Sequence, residues 1–233
     1  MWSKNATTKK RKISNQRLAV RFQKSKIHFA LFTLSALFMT ACTTPQGVTI
    51  SNNTNNHKVQ SAHSNDIWER VRSQFTMPEL QNSEVTAKEN YYASRADYVG
   101  RMAGRSGDFL YLIMDEVERR RLPSELAILP FIESAFVTSA QSSAKASGLW
   151  QFMPATGRDF SLQQNRFVDQ RNDVMASTSA ALDYLERLHN MFGDWHLALA
   201  AYNWGQGNVS RAVNRSLAAG GSGAYTDINM PLE

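Results

Sequence analysis

Apolar residues recur every three or four positions through most of the chain beyond residue 65. In the stretch 108–121 the apolar positions include Leu110, Ile113, Met114 and Val117, a spacing that puts all four on one face of a helix. No segment shows the sustained alternation of apolar and polar residues that is typical of a half-buried strand. The pattern therefore predicts an all-α domain, and a region of about 170 residues is long enough to bury one sizeable core.

Capping residues set the expected ends of these helices. Asp66 and Asp173 each precede an apolar-periodic segment and can accept hydrogen bonds from its first N–H groups, and Gly193 can end the second segment. Pro123 is expected at the first position of a helix, where its missing N–H costs nothing. The predicted helices span 67–72, 83–95, 95–104, 108–121, a segment that begins at 123 and carries Glu133, 174–192, 195–203 and 208–216.

The first 42 residues differ in composition from the rest. They hold nine of the 26 basic residues and no acidic one, which leaves 17 basic against 20 acidic residues and a net charge of −3 for the remainder. A nucleic-acid partner, which the overall charge of +6 would suggest, is therefore not expected. An apolar run at 27–41 follows the basic residues. It is short for a bilayer span, which needs about 20 residues, but it suits a signal peptide.

Cys42 is the only cysteine, so an internal disulfide is impossible. The residues MTAC at 39–42 resemble a bacterial lipobox, and the resemblance implies cleavage before Cys42 and acylation of its thiol and amine. A free buried thiol and an uncleaved anchor are the alternatives. Residues 43–65 are rich in Asn, Ser and Thr and poor in large apolar side chains, which predicts a flexible tether.

One acidic residue, Glu133, stands in the apolar segment LPFIESAF at 129–136. Helical spacing would put Leu126 and Leu129 on the same side as Glu133. Burial favours the protonated form of a carboxyl group, and a carboxyl that is neutral near pH 7 can act as a general acid. The alternative is a buried structural acceptor for backbone N–H groups or for an arginine.

Two later motifs combine neutral hydrogen-bonding groups with aromatic rings. The segment GLWQFMP at 148–154 contains Trp150 and Gln151, and Tyr202 and Asn203 lie near the end of a predicted helix. Sugar rings stack on aromatic faces and their hydroxyls need both donors and acceptors, so these motifs favour a neutral carbohydrate as the ligand. For each motif alone, the alternative is an ordinary core tryptophan or an amide that caps a helix.

Three motifs, IES at 132–134, GLWQ at 148–151 and AYN at 201–203, resemble in this order the three signatures of the bacterial lytic transglycosylase catalytic domain, a family related to goose-type lysozyme. The segments LPSELA at 122–127 and RNDVMASTSAALDYL at 171–185 add to the resemblance, which covers residue 66 to the last. It implies a lysozyme-like helical fold. It also implies cleavage of the β-1,4 bond between N-acetylmuramic acid and N-acetylglucosamine in peptidoglycan, with closure of a 1,6-anhydro ring.

The resemblance implies that one carboxyl group does this chemistry without an outside water molecule. Glu133 would protonate the leaving oxygen and then, as a carboxylate, take a proton from the muramic C6 hydroxyl while that oxygen attacks C1. Ser134 would orient the sugar or the glutamate, and Tyr202 would hydrogen-bond Glu133. Ordinary glycosidases need a second carboxyl. No second acid stands in comparable surroundings, since Asp159 and Asp169 lie in polar stretches and Asp173 is better used as a helix cap.

The matching motifs also imply the residues that bind the glycan. Gln151 would contact the substrate near the cleaved bond, Asn203 would bind an N-acetyl sugar, and Gly148 and Trp150 would form part of the groove wall. The expected organisation is a lipoprotein signal peptide at 1–41, the lipidated cysteine and tether at 42–65, an N-terminal helical subregion at 66–121 and a lytic transglycosylase catalytic region at 122–233.

Two other functions stay open at this point. The first is a goose-type lysozyme-like hydrolase, which adds water at C1, and the second is a non-catalytic peptidoglycan-binding lipoprotein. No cofactor is expected. A metal site is not expected either, because the only histidines beyond the tether are His189 and His196 and the chain has no HExxH pattern.

Thr43, rather than an aspartate, follows the lipidation cysteine. By resemblance to enterobacterial lipoproteins, we expect a lipid-anchored monomer on the periplasmic face of the outer membrane, with peptidoglycan strands as its partner. Members of the family continue past the region that matches 227–233 and often carry LysM repeats. We therefore expect either a truncated sequence or one that relies on its lipid and tether for localisation.

Overall fold

The structure is a computed structural model that describes residues 66–230. The predicted signal peptide, Cys42, the tether and the last three residues lie outside the described residues. From 66 to 230 the chain is helical and contains isolated β-bridges but no strand, which confirms the all-α prediction. The α-helices are α1 (Ile67–Arg72), α2 (Ser83–Ala93), α3 (Ala96–Arg120), α4 (Leu129–Glu133), α5 (Pro154–Asp159), α6 (Val174–Phe192), α7 (Trp195–Trp204) and α8 (Gln206–Ala218). Short 3-10 helices cover Ser124–Ile128, Gln170–Asn172 and Tyr225–Asp227.

The predicted caps of α1 and α6 are confirmed. The Asp66 carboxylate accepts a hydrogen bond of 2.9 Å from the backbone N–H of Trp68. The Asp173 carboxylate accepts one of 2.8 Å from Ala176. Gly193 ends α6 with φ at 68°, the left-handed conformation that glycine adopts without steric cost.

Helix α3 contains the interruption that the sequence predicted. The helical segments expected at 95–104 and 108–121 meet at a kink at Gly107, where the backbone is not helical (φ 31°, ψ −130°). Glycine accommodates this conformation, so the chain changes direction between the two segments. The apolar face predicted for the second half is confirmed, because four of its side chains are fully buried: Leu110, Ile113, Met114 and Val117.

The segment 123–133 also differs from the prediction. Pro123 precedes a 3-10 helix in an extended conformation, with ψ at 131°, instead of opening an α-helix. A separate helix, α4, begins at Leu129 and has Pro130 in its first turn. Proline has no N–H to continue the hydrogen bonding of the preceding turn, so the chain is divided here. Glu133 therefore becomes the last residue of a five-residue helix.

The core lies between α3, α4 and α6, and α6 also packs against α7, which in turn packs against α8. Arg120 of α3 forms ion pairs with Asp183 and Glu186 of α6 at the surface of this core. None of the helices in the described part of the chain combines the length and apolar character needed to cross a bilayer. This packing holds together the three segments that carry the candidate site.

Candidate functional site

The side chain of Glu133 is partly exposed. The expectation that it lies buried on an apolar helical face is therefore wrong, although Leu126 and Leu129 are themselves buried. The reason is the 3-10 segment before α4, which has three residues per turn and removes the register expected of a continuous α-helix. Glu133 is therefore an acid that a ligand from solvent can reach.

The chain turns sharply after Glu133. The carbonyl oxygen of Pro130 accepts hydrogen bonds from the backbone N–H of Ser134 (3.1 Å), the hydroxyl of Ser134 (3.2 Å) and the N–H of Phe136 (3.2 Å). Ala135 and Phe136 both have positive φ, 51° and 59°, which side chains other than glycine rarely adopt. Ser134 thus holds the end of α4 in place, and its hydroxyl oxygen keeps the capacity to accept a bond from a ligand.

The turn is fixed from two other sides. Arg105 of α3 donates a hydrogen bond of 2.6 Å from Nε to the carbonyl oxygen of Ala135. The ring of Phe136 is buried and meets the ring of Phe131 edge to face, with centroids 4.5 Å apart. Contacts of this kind maintain an unusual backbone conformation that the local sequence alone would not favour.

Gly148 and Trp150 have supporting positions, which corrects their expected place in a groove wall. Trp150 is fully buried, and its indole Nε1 donates to the hydroxyl of Thr178 at 2.9 Å. Gly148 is buried with φ at 83°, and a Cβ at this position would lie 1.8 Å from the carbonyl oxygen of Arg171. A glycine is required here because two backbone segments approach each other.

Gln151 follows Trp150 with φ at 50° and is partly exposed. Its Nε2 donates to the carbonyl oxygens of Gly148 (2.8 Å) and Ala140 (3.2 Å). Its Oε1 makes no hydrogen bond within residues 66–230. The side chain is therefore held rigidly by its two N–H groups and presents an acceptor.

Tyr202 connects α7 with this loop. Its hydroxyl donates a hydrogen bond of 2.8 Å to the carbonyl oxygen of Trp150. Burial, and next the negative charge of Glu133, raise the pKa of Tyr202 well above its usual value. The structure therefore brings a neutral phenol close to the acid, while a direct hydrogen bond between Tyr202 and Glu133 stays a prediction.

Asn203 is the next residue of α7 and is partly exposed. Its side-chain amide makes no hydrogen bond with the part of the chain that the structure describes. Both its donors and its acceptor are thus available to a ligand, which agrees with the expectation that it contacts a sugar but does not test it.

The sequence interpretation missed Glu125, the carboxyl that is truly buried, with 8% of its surface exposed. Oε1 accepts hydrogen bonds of 2.8 Å from the backbone N–H groups of Thr76 and Met77, and Oε2 has no partner among the described residues. Burial raises the pKa of Glu125. Its position between apolar residues in LPSELA was a usable signal, of the same kind that drew attention to Glu133.

Arg171 was also missed as a buried residue. Its Nη1 donates to the carbonyl oxygens of Lys145 (2.7 Å) and Phe152 (3.1 Å), and Nε and Nη2 bind the carboxylate of Asp169. These bonds tie both sides of the loop that carries Gln151. Asp169, expected only to lie in a polar stretch, is the carboxylate partner of this guanidinium group.

The arrangement supports proton transfer by a single carboxyl group. Glu133 is partly exposed and lies near a neutral phenol, whereas Asp169 is paired with Arg171 and Asp173 caps α6. Within residues 66–230 no group of three or more His, Cys, Asp or Glu side chains is arranged to hold a metal ion. Gln151 offers a rigidly held acceptor and Asn203 an uncommitted amide, which are groups that a polyhydroxylated ligand requires.

Comparison with known proteins agrees with this site. Residues 111–222 match the protein family described as Transglycosylase SLT domain. The chain is 38% identical over 169 residues to the membrane-bound lytic murein transglycosylase D of Escherichia coli strains K12 and O6:H1, an alignment that covers 72% of this chain and 37% of each relative. It is 50% identical over 113 residues, 48% of this chain and 55% of the relative, to a putative tributyltin chloride resistance protein of Alteromonas sp.. The chain therefore spans less than two thirds of the length of these relatives.

Proposed function

We propose that this chain is a peptidoglycan lytic transglycosylase, because residues 111–222 match the family described as Transglycosylase SLT domain. It cleaves the β-1,4 bond between N-acetylmuramic acid and N-acetylglucosamine and leaves a 1,6-anhydro ring on the muramic acid. The observation that carries the proposal is the partly exposed Glu133 beside Tyr202, whose pKa it helps to raise. The identity with two murein transglycosylases supports the same substrate class.

Glu133 performs both proton transfers in this proposal. In the first step its carboxyl proton goes to the glycosidic oxygen, the bond from C1 to that oxygen breaks, and N-acetylglucosamine leaves. In the second step the carboxylate removes the proton of the muramic C6 hydroxyl, and the C6 oxygen forms the new bond to C1. The acid is regenerated and no water is consumed.

The residues around Glu133 fit these steps. The Tyr202 hydroxyl donates its hydrogen bond to the Trp150 carbonyl, so its oxygen can accept a hydrogen bond from protonated Glu133. Gln151 offers Oε1 to a sugar hydroxyl or amide N–H, and Asn203 offers its amide to an N-acetyl group. The bonds from Arg105 to Ala135 and from Ser134 to Pro130 keep the acid from moving.

The identity of the products tests the proposal. The full-length chain is incubated with purified peptidoglycan, and the released fragments are identified by mass spectrometry. Fragments that end in anhydromuramic acid, lighter by one water than hydrolysis products, are expected. Reducing-end products would instead assign a goose-type lysozyme-like hydrolase. Binding to peptidoglycan without any release would assign a non-catalytic peptidoglycan-binding lipoprotein.

We also propose that the chain is a monomer anchored through acylated Cys42 at the periplasmic face of the outer membrane. The E. coli relative is named membrane-bound, which supports membrane attachment in general. Fractionation of a Gram-negative host should recover the chain with outer membranes and Cys42→Ala in the soluble periplasm. Recovery of the unaltered chain with inner membranes would overturn the sorting, and light scattering of detergent-solubilised protein tests the monomer.

A further inference from the structure

A cleft of about 780 Å³ lies beside the catalytic segment, between the α2–α3 junction and α4. Its walls include Tyr91, Arg95, Tyr98 and Arg101, together with Phe131 and Ile132 from α4. We call it the tyrosine–arginine cleft. Residues 91–101 precede the segment 111–222 that matches the family, so this wall is contributed by another part of the chain.

The cationic groups of the cleft are positioned to bind an anion. Arg95 lies over the ring of Tyr91, 3.6 Å from its centroid, and Nη1 donates to the Tyr91 carbonyl (2.9 Å) and the Ser94 hydroxyl (3.2 Å). Its Nε and Nη2 make no hydrogen bond within residues 66–230. A guanidinium group that is held in place loses little freedom when it binds a carboxylate.

Arg101 provides a second cation. It is exposed and forms no hydrogen bond or ion pair within the described part of the chain. Asp97 is the acidic residue of the cleft wall, so the lining keeps one net positive charge. Tyr91 and Tyr98 are 43% and 37% exposed and add apolar surface with a polar tip.

We propose that the tyrosine–arginine cleft binds the carboxylate-bearing peptide that peptidoglycan carries on the lactyl group of muramic acid. This inference rests on the proposed function. A bare glycan is the less favoured occupant, because it offers only the single lactyl carboxylate of each muramic acid, and its sugar rings stack on open aromatic faces, whereas one face of Tyr91 is covered by Arg95. The peptide offers several carboxylates to the two guanidinium groups.

The position of the cleft relative to Glu133 agrees with this occupant. Ile132, in the wall of the cleft, immediately precedes Glu133. Arg105, which binds the Ala135 carbonyl in the turn after Glu133, lies one helical turn, about 6 Å along α3, from Arg101. Arg101 therefore lies on the same stretch of α3 as the residue that holds the turn after Glu133.

Two substrates separate this role from catalysis. Rates of anhydromuropeptide release by the full-length chain are compared on intact peptidoglycan and on strands from which an amidase has removed the peptides. We expect Arg101→Ala to lower kcat/KM about fivefold on the peptide-bearing substrate, in line with one exposed charged contact, and Arg101→Glu to lower it further. Neither variant should change the rate on peptide-free strands. Arg215→Ala, an exposed arginine of α8 outside the cleft, should leave both rates unchanged.

Equal losses on both substrates, or no loss on either, would overturn the cleft assignment. Absence of anhydro products from the unaltered chain on both substrates would overturn the proposed function instead. A binding measurement distinguishes these failures, since it needs no turnover. The free tetrapeptide L-Ala–γ-D-Glu–meso-diaminopimelate–D-Ala should shift amide NMR signals of residues 91–101, and these shifts should be lost in Arg101→Ala. Unchanged shifts in the variant would contradict the proposal.

Discussion

The hydroxyl of Tyr202 donates a hydrogen bond of 2.8 Å to the backbone carbonyl of Trp150, fifty-two positions earlier in the chain. This bond links the end of α7 to the loop that presents Gln151. It also fixes the direction of the phenolic proton, which points to the Trp150 carbonyl oxygen. Tyr202 is therefore both a structural link and a neutral neighbour of the proposed acid.

Replacement of Tyr202 by Phe should reduce both stability and activity. The Trp150 carbonyl loses its partner, which costs about 1–3 kcal/mol of unfolding free energy when a buried acceptor is left unpaired. Displacement of the loop should lower the rate of anhydromuropeptide release by about tenfold or more. Tyr184→Phe is the matched control, because its ring packs 5.3 Å from that of Tyr202 but no bond to Trp150 is involved. Equal effects of both substitutions would contradict a specific role for the Tyr202 hydroxyl.

Replacement of Glu133 by Gln should abolish the proton transfers but preserve the fold. The expected fall in turnover is about 10²–10⁴-fold, the usual contribution of a positioned acid or base. Binding to peptidoglycan, measured by cosedimentation, should be unchanged. Asp159→Asn, at the exposed end of α5, should retain activity. A comparable loss in that variant would indicate a second catalytic carboxyl and weaken the single-acid mechanism.

Glu125 should make stability depend on pH. Its pKa in the folded state is raised above the ordinary value of 4.5 by burial, so its protonated form favours the fold. Its stabilising contribution is complete below 4.5 and is lost as the pH rises through the raised pKa. Glu125→Gln keeps an oxygen for the N–H groups of Thr76 and Met77 and should flatten this part of the curve of unfolding free energy against pH.

Glu116 offers a control of opposite sign. Hydrogen bonds from Arg119 and then Arg120 lower the pKa of Glu116 to about 2. Its contribution to stability is present above its ordinary pKa and is lost as the pH falls towards 2. Urea unfolding of Glu116→Gln should therefore differ from the unaltered chain in its acid limb. If Glu125→Gln altered the acid limb as well and left the neutral range unchanged, the assignment for Glu125 would be wrong.

Gly148→Ala should be strongly destabilising. The new Cβ would lie 1.8 Å from the Arg171 carbonyl oxygen, in a backbone conformation with φ at 83°. Steric overlap and the positive φ together should cost about 2–5 kcal/mol of unfolding free energy. Gly104→Ala is the matched control, since its Cβ would meet nothing within 4 Å, and the substitution in the middle of α3 should stabilise the chain by about 0.5–1 kcal/mol. Thermal unfolding measures both variants, and this account would be contradicted if the two substitutions shifted the unfolding temperature in the same direction.

The parts of the fold that depend on neighbours in sequence could be predicted. The capped ends of α1 and α6 follow from Asp66, Asp173 and Gly193, and the buried face of α3 follows from its apolar spacing. The interruption at Gly107 was expected as a boundary between two helices, whereas the geometry of the bend was not. Local chemistry determines caps, whereas the bend depends on what the two halves pack against.

The candidate site could be recognised from its motifs but not assembled from them. Glu133 and Glu125 both have apolar neighbours in sequence, but Glu125 is buried and bonded to Thr76 and Met77, whereas Glu133 at the end of α4 is accessible. Trp150 was likewise expected to form part of the wall of a sugar-binding groove, but it lies in the core. Such differences arise from contacts between segments distant in sequence, which spacing along one helix cannot reveal.

The guanidinium group of Arg171 has a mechanical consequence for the loop between Lys145 and Asp169. The Arg171 side chain donates hydrogen bonds to Lys145, Phe152 and Asp169. If one of these bonds breaks, the guanidinium group moves and the other two bonds weaken. The loop should consequently open as one cooperative unit, with amide hydrogens that exchange with solvent at a common rate. Gln151, which this loop carries, would then be presented on a stiff edge of the molecule.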